Sequence, residues 1–194
     1  MQNSSFKLTN KEFELILDTE YPLLKKNVIE KIQAHLHQLG EKLIKNPLIT
    51  RPLYNQSFKI SKGENYLNLP YLVLDLPKID GNSFPILCRT MFWWGKYFSF
   101  NVFIRKDAYD MDTFEKKIKS QPIKGFHVLL SDKIWQQDLD SDDYSQVSEW
   151  PENMNTEGDY LKLSIKHPID EIDTLNEKAN YFYGLILSCL NPIT

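Results

Sequence analysis

Apolar positions recur at three- and four-residue steps near both ends of the chain and at two-residue steps between them, so the pattern predicts terminal helices around a set of strands. Thr9-Asn10-Lys11-Glu12 reads as a capping box opening a short helix with Phe13, Ile16 and Leu17 on one side. Pro22 suits the first position of a second helix. Its stripe is Leu24, Val28, Ile32, Leu36, Leu39 and Leu43, with Asn46-Pro47 as the stop. Asp110 or Asp112 can cap a short helix through Lys119, with Phe114 and Ile118 inward and Pro122 behind it. A last helix opens after His167-Pro168 on the stripe Ile172, Leu175, Ala179, Phe182, Ile186 and Leu190.

Between the helical regions, residues 57–105 are rich in aromatic and β-branched side chains. Ser57–Ser61, Tyr66–Leu76, Phe84–Trp94 and Tyr97–Arg105 read as strands, followed later by Phe126–Ser131 and Tyr160–Lys166. Gly95-Lys96 suits a two-residue type II′ hairpin turn, which wants glycine first. That turn pairs Trp94 with Tyr97, Trp93 with Phe98, Met91 with Phe100 and Arg89 with Val102. Leu87, Arg89, Met91, Trp93, Phe98, Phe100, Val102 and Ile104 then share the core face. Cys88, Thr90, Phe92, Trp94, Tyr97, Ser99, Asn101 and Phe103 share a mixed, open face.

The expected fold is α+β: a meandering, mainly antiparallel sheet of five to six strands with N- and C-terminal helices packed on one face. The expected organisation is one domain over residues 1–194. Its parts are a helical region 9–46, a sheet 57–105, a helix 110–120, a strand 126–131, an acidic loop 132–159, a strand 160–166 and a helix 168–190. A length of 194 residues and a hydrophobic fraction of 42% are enough for a sizeable core and exclude a wholly disordered chain. No apolar run approaches the ~18 residues of a membrane span, and the polar N-terminus does not read as a secretory signal. The expectation is a cytoplasmic protein whose thiols, Cys88 and Cys189, stay reduced. Asn3-Ser4-Ser5 and Asn55-Gln56-Ser57 match the glycosylation triplet, which carries little weight in that setting.

A net charge of −3 argues against nucleic-acid or membrane-surface partners. The charge is uneven: residues 132–159 hold nine carboxylates and one base, Lys133. Asp138, Asp140, Asp142 and Glu149 fall at calcium-loop spacing. Asp143 stands where such a loop needs glycine, Ser145 stands at an apolar position, and the flanks are wrong, so these four are weak calcium candidates only. The four histidines do not cluster: His35 and His37 diverge on one helix, and zinc, phosphate-loop and serine-hydrolase motifs are absent. No cofactor is expected.

Two constellations remain. Arg89 on an apolar face needs a partner, and Asp75 on the preceding strand suits it. With His127 this trio is the candidate catalytic set for a small anionic substrate. The open hairpin face makes Phe92, Trp94, Tyr97 and Asn101 the candidate partner-binding residues. The reading from sequence leans away from an enzyme. It favours an interaction protein that binds a protein or small ligand through the aromatic face or the acidic loop, with an enzyme and a homodimer as alternatives.

Overall fold

The computed structural model describes residues 7–53, 56–79, 81, 84–122, 124–149 and 158–192. The chain divides into two compact units, residues 1–35 and 36–194. In the first unit lie α1 (Asn10–Leu17) and the opening turns of α2 (Glu20–Leu43). The capping box is present: the Glu12 N–H donates to Thr9 Oγ1 at 3.3 Å, and the Thr9 N–H donates to the Glu12 carboxylate at 2.6 Å. The Thr9 donors hold the Glu12 carboxyl below its usual range. The second helix begins before Pro22. Asp18 accepts from the N–H groups of Glu20 and Tyr21, so the proline occupies the first turn, where its missing N–H matters little.

The second unit is built on a seven-stranded sheet, one or two strands larger than expected. Its strands are β1 (Lys59–Tyr66), β2 (Leu69–Leu76), β3 (Ile86–Trp93), β4 (Phe98–Arg105), β5 (His127–Leu129), β6 (Tyr144–Gln146) and β7 (Tyr160–His167). The order is β1-β2-β3-β4-β7-β5-β6, with every pair antiparallel. The fold is α+β, as expected, but the sheet is a simple meander only through β4. Strand β7 returns between β4 and β5, so a long-range pairing replaces the neighbour-to-neighbour order. The helices of this unit are α3 (Pro47–Thr50), α4 (Met111–Lys119) and α5 (Leu175–Ser188). Asn46 caps α3 rather than only ending the helix before it, and Asp110 caps α4. The final helix begins at Leu175, after a 3-10 segment over Ile169–Thr174.

Two turns explain where the strands depart from expectation. Tyr66 pairs with Leu69, so Leu67 and Asn68 alone make the β1–β2 turn, and both have positive φ, 48° and 66°. That is type I′ geometry. A leucine in that position hides the turn, which is why 66–76 reads as one strand. In the β3–β4 hairpin the Trp93 N–H donates to the Tyr97 carbonyl and the Lys96 N–H donates to the Trp93 carbonyl, both at 3.0 Å. Gly95, with φ +69°, is the third residue of that turn, the type II position. The loop therefore holds three residues instead of two, and the expected register is off by one: Phe92 pairs with Phe98 and Arg89 with Asn101.

The slip regroups the faces. Cys88, Thr90, Phe92, Phe98, Phe100, Val102 and Ile104 share one face, on which Phe182 and Tyr183 of α5 sit against Phe100 at 6.2 and 6.0 Å between ring centroids. Leu87, Arg89, Met91, Trp93, Tyr97, Ser99, Asn101 and Phe103 share the other. That face is not open. Residues 131–146 fold across it, and Leu139 joins Val73, Met91, Trp93 and Tyr97 in an apolar cluster. A second cluster of Phe84, Leu87 and Phe103 lies further along the strands. Among the described residues no helix is long and apolar enough to cross a membrane.

The left-handed Leu67 gives a test of the turn. A leucine in this conformation costs about 1–2 kcal/mol, and asparagine tolerates it well. Leu67→Asn is expected to raise unfolding stability by about 1 kcal/mol, read from the urea midpoint at unchanged slope.

Candidate functional site

Between the two apolar clusters the covered face carries a polar row that crosses the sheet. Register places Asp75, Arg89, Asn101, Ser164, His127 and Gln146 side by side on β2, β3, β4, β7, β5 and β6. A polar group buried without a partner is costly, and the row satisfies itself largely sideways. Arg89 donates through Nε and Nη2 to the two Asp75 oxygens at 2.6 and 2.9 Å. Asn101 donates to the Arg89 carbonyl at 3.2 Å and to Ser99 Oγ at 3.0 Å, and Ser164 donates to Asn101 Oδ1 at 2.8 Å. His127 Nε2 meets the Gln146 side-chain amide at 2.9 Å, while its buried Nδ1 has no partner. Burial, assisted by Lys166, lowers the His127 pKa and favours the neutral ring.

The expected Asp75–Arg89 pair is thus formed, largely buried and bidentate. His127 shares its row but not its neighbourhood: three strand spacings separate it from Arg89, about 14 Å. The trio does not assemble around one reacting atom. The guanidinium is also covered, with its carbon 4.6 Å from the centre of the Trp135 ring.

Sequence reasoning missed Lys162, beside this row. It is 1% exposed, and its ammonium nitrogen lies 4.8 Å from the Phe103 ring centre and 5.6 Å from that of Tyr144. It donates to the Gln136 carbonyl. Burial, followed by the Arg89 charge, pushes its pKa well below the usual lysine range. Alternation in 160–166 predicts Leu161, Leu163 and Ile165 inward and Lys162 outward; Leu161 and Leu163 are buried and Ile165 is half-buried. The covering segment overturns the expectation for Lys162.

Tyrosine hydroxyls fasten the cover. Tyr66 donates to Gln136 Oε1 at 2.7 Å and accepts from the Gln137 N–H at 2.8 Å; Tyr97 accepts from the Leu139 N–H at 2.9 Å; Tyr144 donates to the Gln136 carbonyl at 2.6 Å. Burial raises the pKa of all three phenols, which keeps them protonated. Carboxylates of the acidic loop also anchor it: Asp140 pairs with Lys166, and Asp143 with Lys133. Asp138, Asp140, Asp142 and Glu149 do not converge, and among the described residues no group of three or more His, Cys, Asp or Glu side chains could hold a metal ion. Trp150, Pro151, Glu152 and Glu157 of this loop, and Asn3-Ser4-Ser5 and Asn55, lie outside the described residues.

The partner-binding candidates do not form one surface. Phe92 is buried on the α5 face, Tyr97 and Asn101 are buried on the covered face, and Trp94 is half-buried in the turn. The described cavities lie elsewhere. The largest, about 620 Å³, is bordered by Leu48, Arg51, Pro52, Leu187 and Leu190, and none is lined by Asp75, Arg89 or His127.

Among the described residues, nine of the fourteen large exposed hydrophobics lie in the first unit. The α2 stripe is continuous in sequence, but it is buried only from Ile32 onward; Leu24 and Val28 are exposed. No residue of α1 is buried, and Phe13, Ile16 and Leu17 are 53%, 64% and 76% exposed. The sequence signal was the stripe itself, read there as core. No family model, no curated protein and no solved structure matches this chain.

Two outcomes follow for the buried charges. Asp75→Asn leaves the Arg89 charge buried without its carboxylate and is expected to lower stability by about 3 kcal/mol, whereas Asp75→Leu with Arg89→Met is expected to recover most of that loss; urea unfolding measures both. For Lys162, the unfolded chain keeps its proton up to the ordinary lysine range, while the folded amine sheds it at lower pH. Between those limits the unfolded state binds more protons, so this residue makes stability rise with pH, by up to about 1.4 kcal/mol per unit. Lys162→Met is expected to remove that slope in the pH range just below the ordinary lysine value of about 10; parallel curves for the two proteins would mean the folded amine stays charged.

Proposed function

We propose that this chain is a non-enzymatic interaction protein, and that its acting surface is the N-terminal helical unit, which pairs with an amphipathic helix of a partner chain. The observation that carries the reading is the row of large apolar side chains left in water on α1 and the start of α2. Phe13, Ile16 and Leu17 are spaced as one helical face, and Tyr21, Leu24 and Val28 as another. Such spacing fits helix pairing, in which anchors recur at three- and four-residue steps. Exposed apolar patches of this kind are uncommon unless something covers them.

The other surfaces have weaker support. The aromatic sheet face and the acidic loop are engaged with each other, through Tyr97 with Leu139 and Lys166 with Asp140. A partner, or a twin docked on that face, would first have to displace residues 131–146. An enzymatic reading through Arg89, Asp75 and His127 would need Arg89 to exchange Asp75 for substrate and His127 to act from about 14 Å away.

Photo-crosslinking in cells that make the full chain tests the reading. A photoreactive residue at Leu17 or Leu24 is expected to give one adduct of defined mass, lost when Phe13→Asp is added. The same residue at exposed Leu67, on the β1–β2 turn, is expected to give none. No adduct from positions 17 and 24, or equal labelling from 67, overturns it.

A further inference from the structure

We infer that the partner helix is the same helix of a second copy of this chain, set antiparallel to the first; this rests on the interaction reading above and names its occupant. The argument begins with the distribution of exposed apolar residues. Nine of the large exposed hydrophobics, from Leu8 to Val28, fall in the first unit, with exposures from 39% to 76%. Eight of them lie on α1 and the first turns of α2, on either side of Asp18-Thr19, and the ninth, Leu8, precedes α1, so a cover has to follow the unit from α1 into α2.

Charge then selects the occupant. From Lys11 to Glu20 the unit is acidic, with Glu12, Glu14, Asp18 and Glu20 against the single base Lys11. From Lys25 to Lys31 it is basic, with Lys25, Lys26 and Lys31 against Glu30. The described part of the unit, residues 7–35, has five lysines and five carboxylates and is therefore neutral as a whole. A uniformly acidic or basic partner meets repulsion at one end of such a surface. A surface whose charge reverses along its length is complementary to its own antiparallel copy: the acidic end of each chain lies over the basic end of the other. That is an isologous two-fold contact, in which the same patch serves both subunits and the assembly closes at two. A parallel arrangement would stack like charges at both ends, which is strongly disfavoured.

The test is the solution mass of the purified full chain, by light scattering and sedimentation across micromolar concentrations. The expected result is twice the 22.9 kDa of one chain. Leu17→Glu with Leu24→Glu is expected to give the single-chain mass with unchanged circular dichroism and a urea midpoint that no longer depends on protein concentration. Glu14→Lys with Glu20→Lys, which leaves both caps intact, is expected to weaken dimerisation at least about tenfold, and adding Lys26→Glu with Lys31→Glu to restore it. A dimer that survives Leu17→Glu and Leu24→Glu overturns this interface. A fourfold charge exchange that fails to restore pairing overturns the antiparallel arrangement. A wild-type chain that stays monomeric overturns self-pairing: if Leu17 still gives one adduct of other mass in cells, the interaction reading stands without it, and if Leu17 gives none, both fall.

Discussion

The central constraint on the larger unit is that a sheet with one polar face is buried on both sides. The face under α5 is apolar and is satisfied by packing. The opposite face carries Asp75, Arg89, Asn101, Ser164 and His127 in one row, and it is covered by chain rather than water. In such a place donors and acceptors have to find protein, because an unpaired one costs more than a typical hydrogen bond returns; His127 Nδ1 is the exception in the row. The bidentate pair at one end, the Asn101–Ser164 link in the middle and the Gln146 amide at the other end are the solution. Apolar clusters on both flanks hold the cover in place.

The cover is held differently from the sheet it lies on. Residues 131–146 contain only a three-residue strand, and their backbone at Gln136–Leu139 is satisfied by the phenols of Tyr66, Tyr97 and Tyr144. Protonated phenols suit this task because each offers one donor and two acceptor sites at the end of a rigid ring. The acids that make this stretch look like a docking strip are partly spent on it, in contact with Lys133 and Lys166. Part of its acidic composition therefore serves anchoring.

The N-terminal unit shows the converse. Its amphipathic stripe is as regular as that of any core helix, yet much of it meets water. Periodicity reports that a face is apolar; it does not report what covers that face. The same stripe that becomes core at Ile32, Leu36 and Leu39 stays exposed at Leu24 and Val28, and this surplus of apolar surface, rather than any cluster of reactive groups, gives the chain its clearest outward-facing chemistry.

Local rules were legible in the amino-acid order. Thr9 and Asp110 cap helices because a short side-chain oxygen reaches an orphan N–H, and the two- and three-to-four-residue periods separate strands from helices without knowledge of the fold. The need of Arg89 for Asp75 was also legible, since a buried charge demands a partner and adjacent strands supply the nearest. What only the tertiary structure decided was register and cover. One glycine permits positive φ at either of two turn positions, and choosing the type II position moved every residue of β4 to the opposite face. The insertion of β7 between β4 and β5 set the distance from Arg89 to His127, and the fold of 131–146 turned Lys162 from an outward lysine into a buried amine. These outcomes rest on contacts between residues far apart in the chain, and no local pattern encodes which distant segment will arrive.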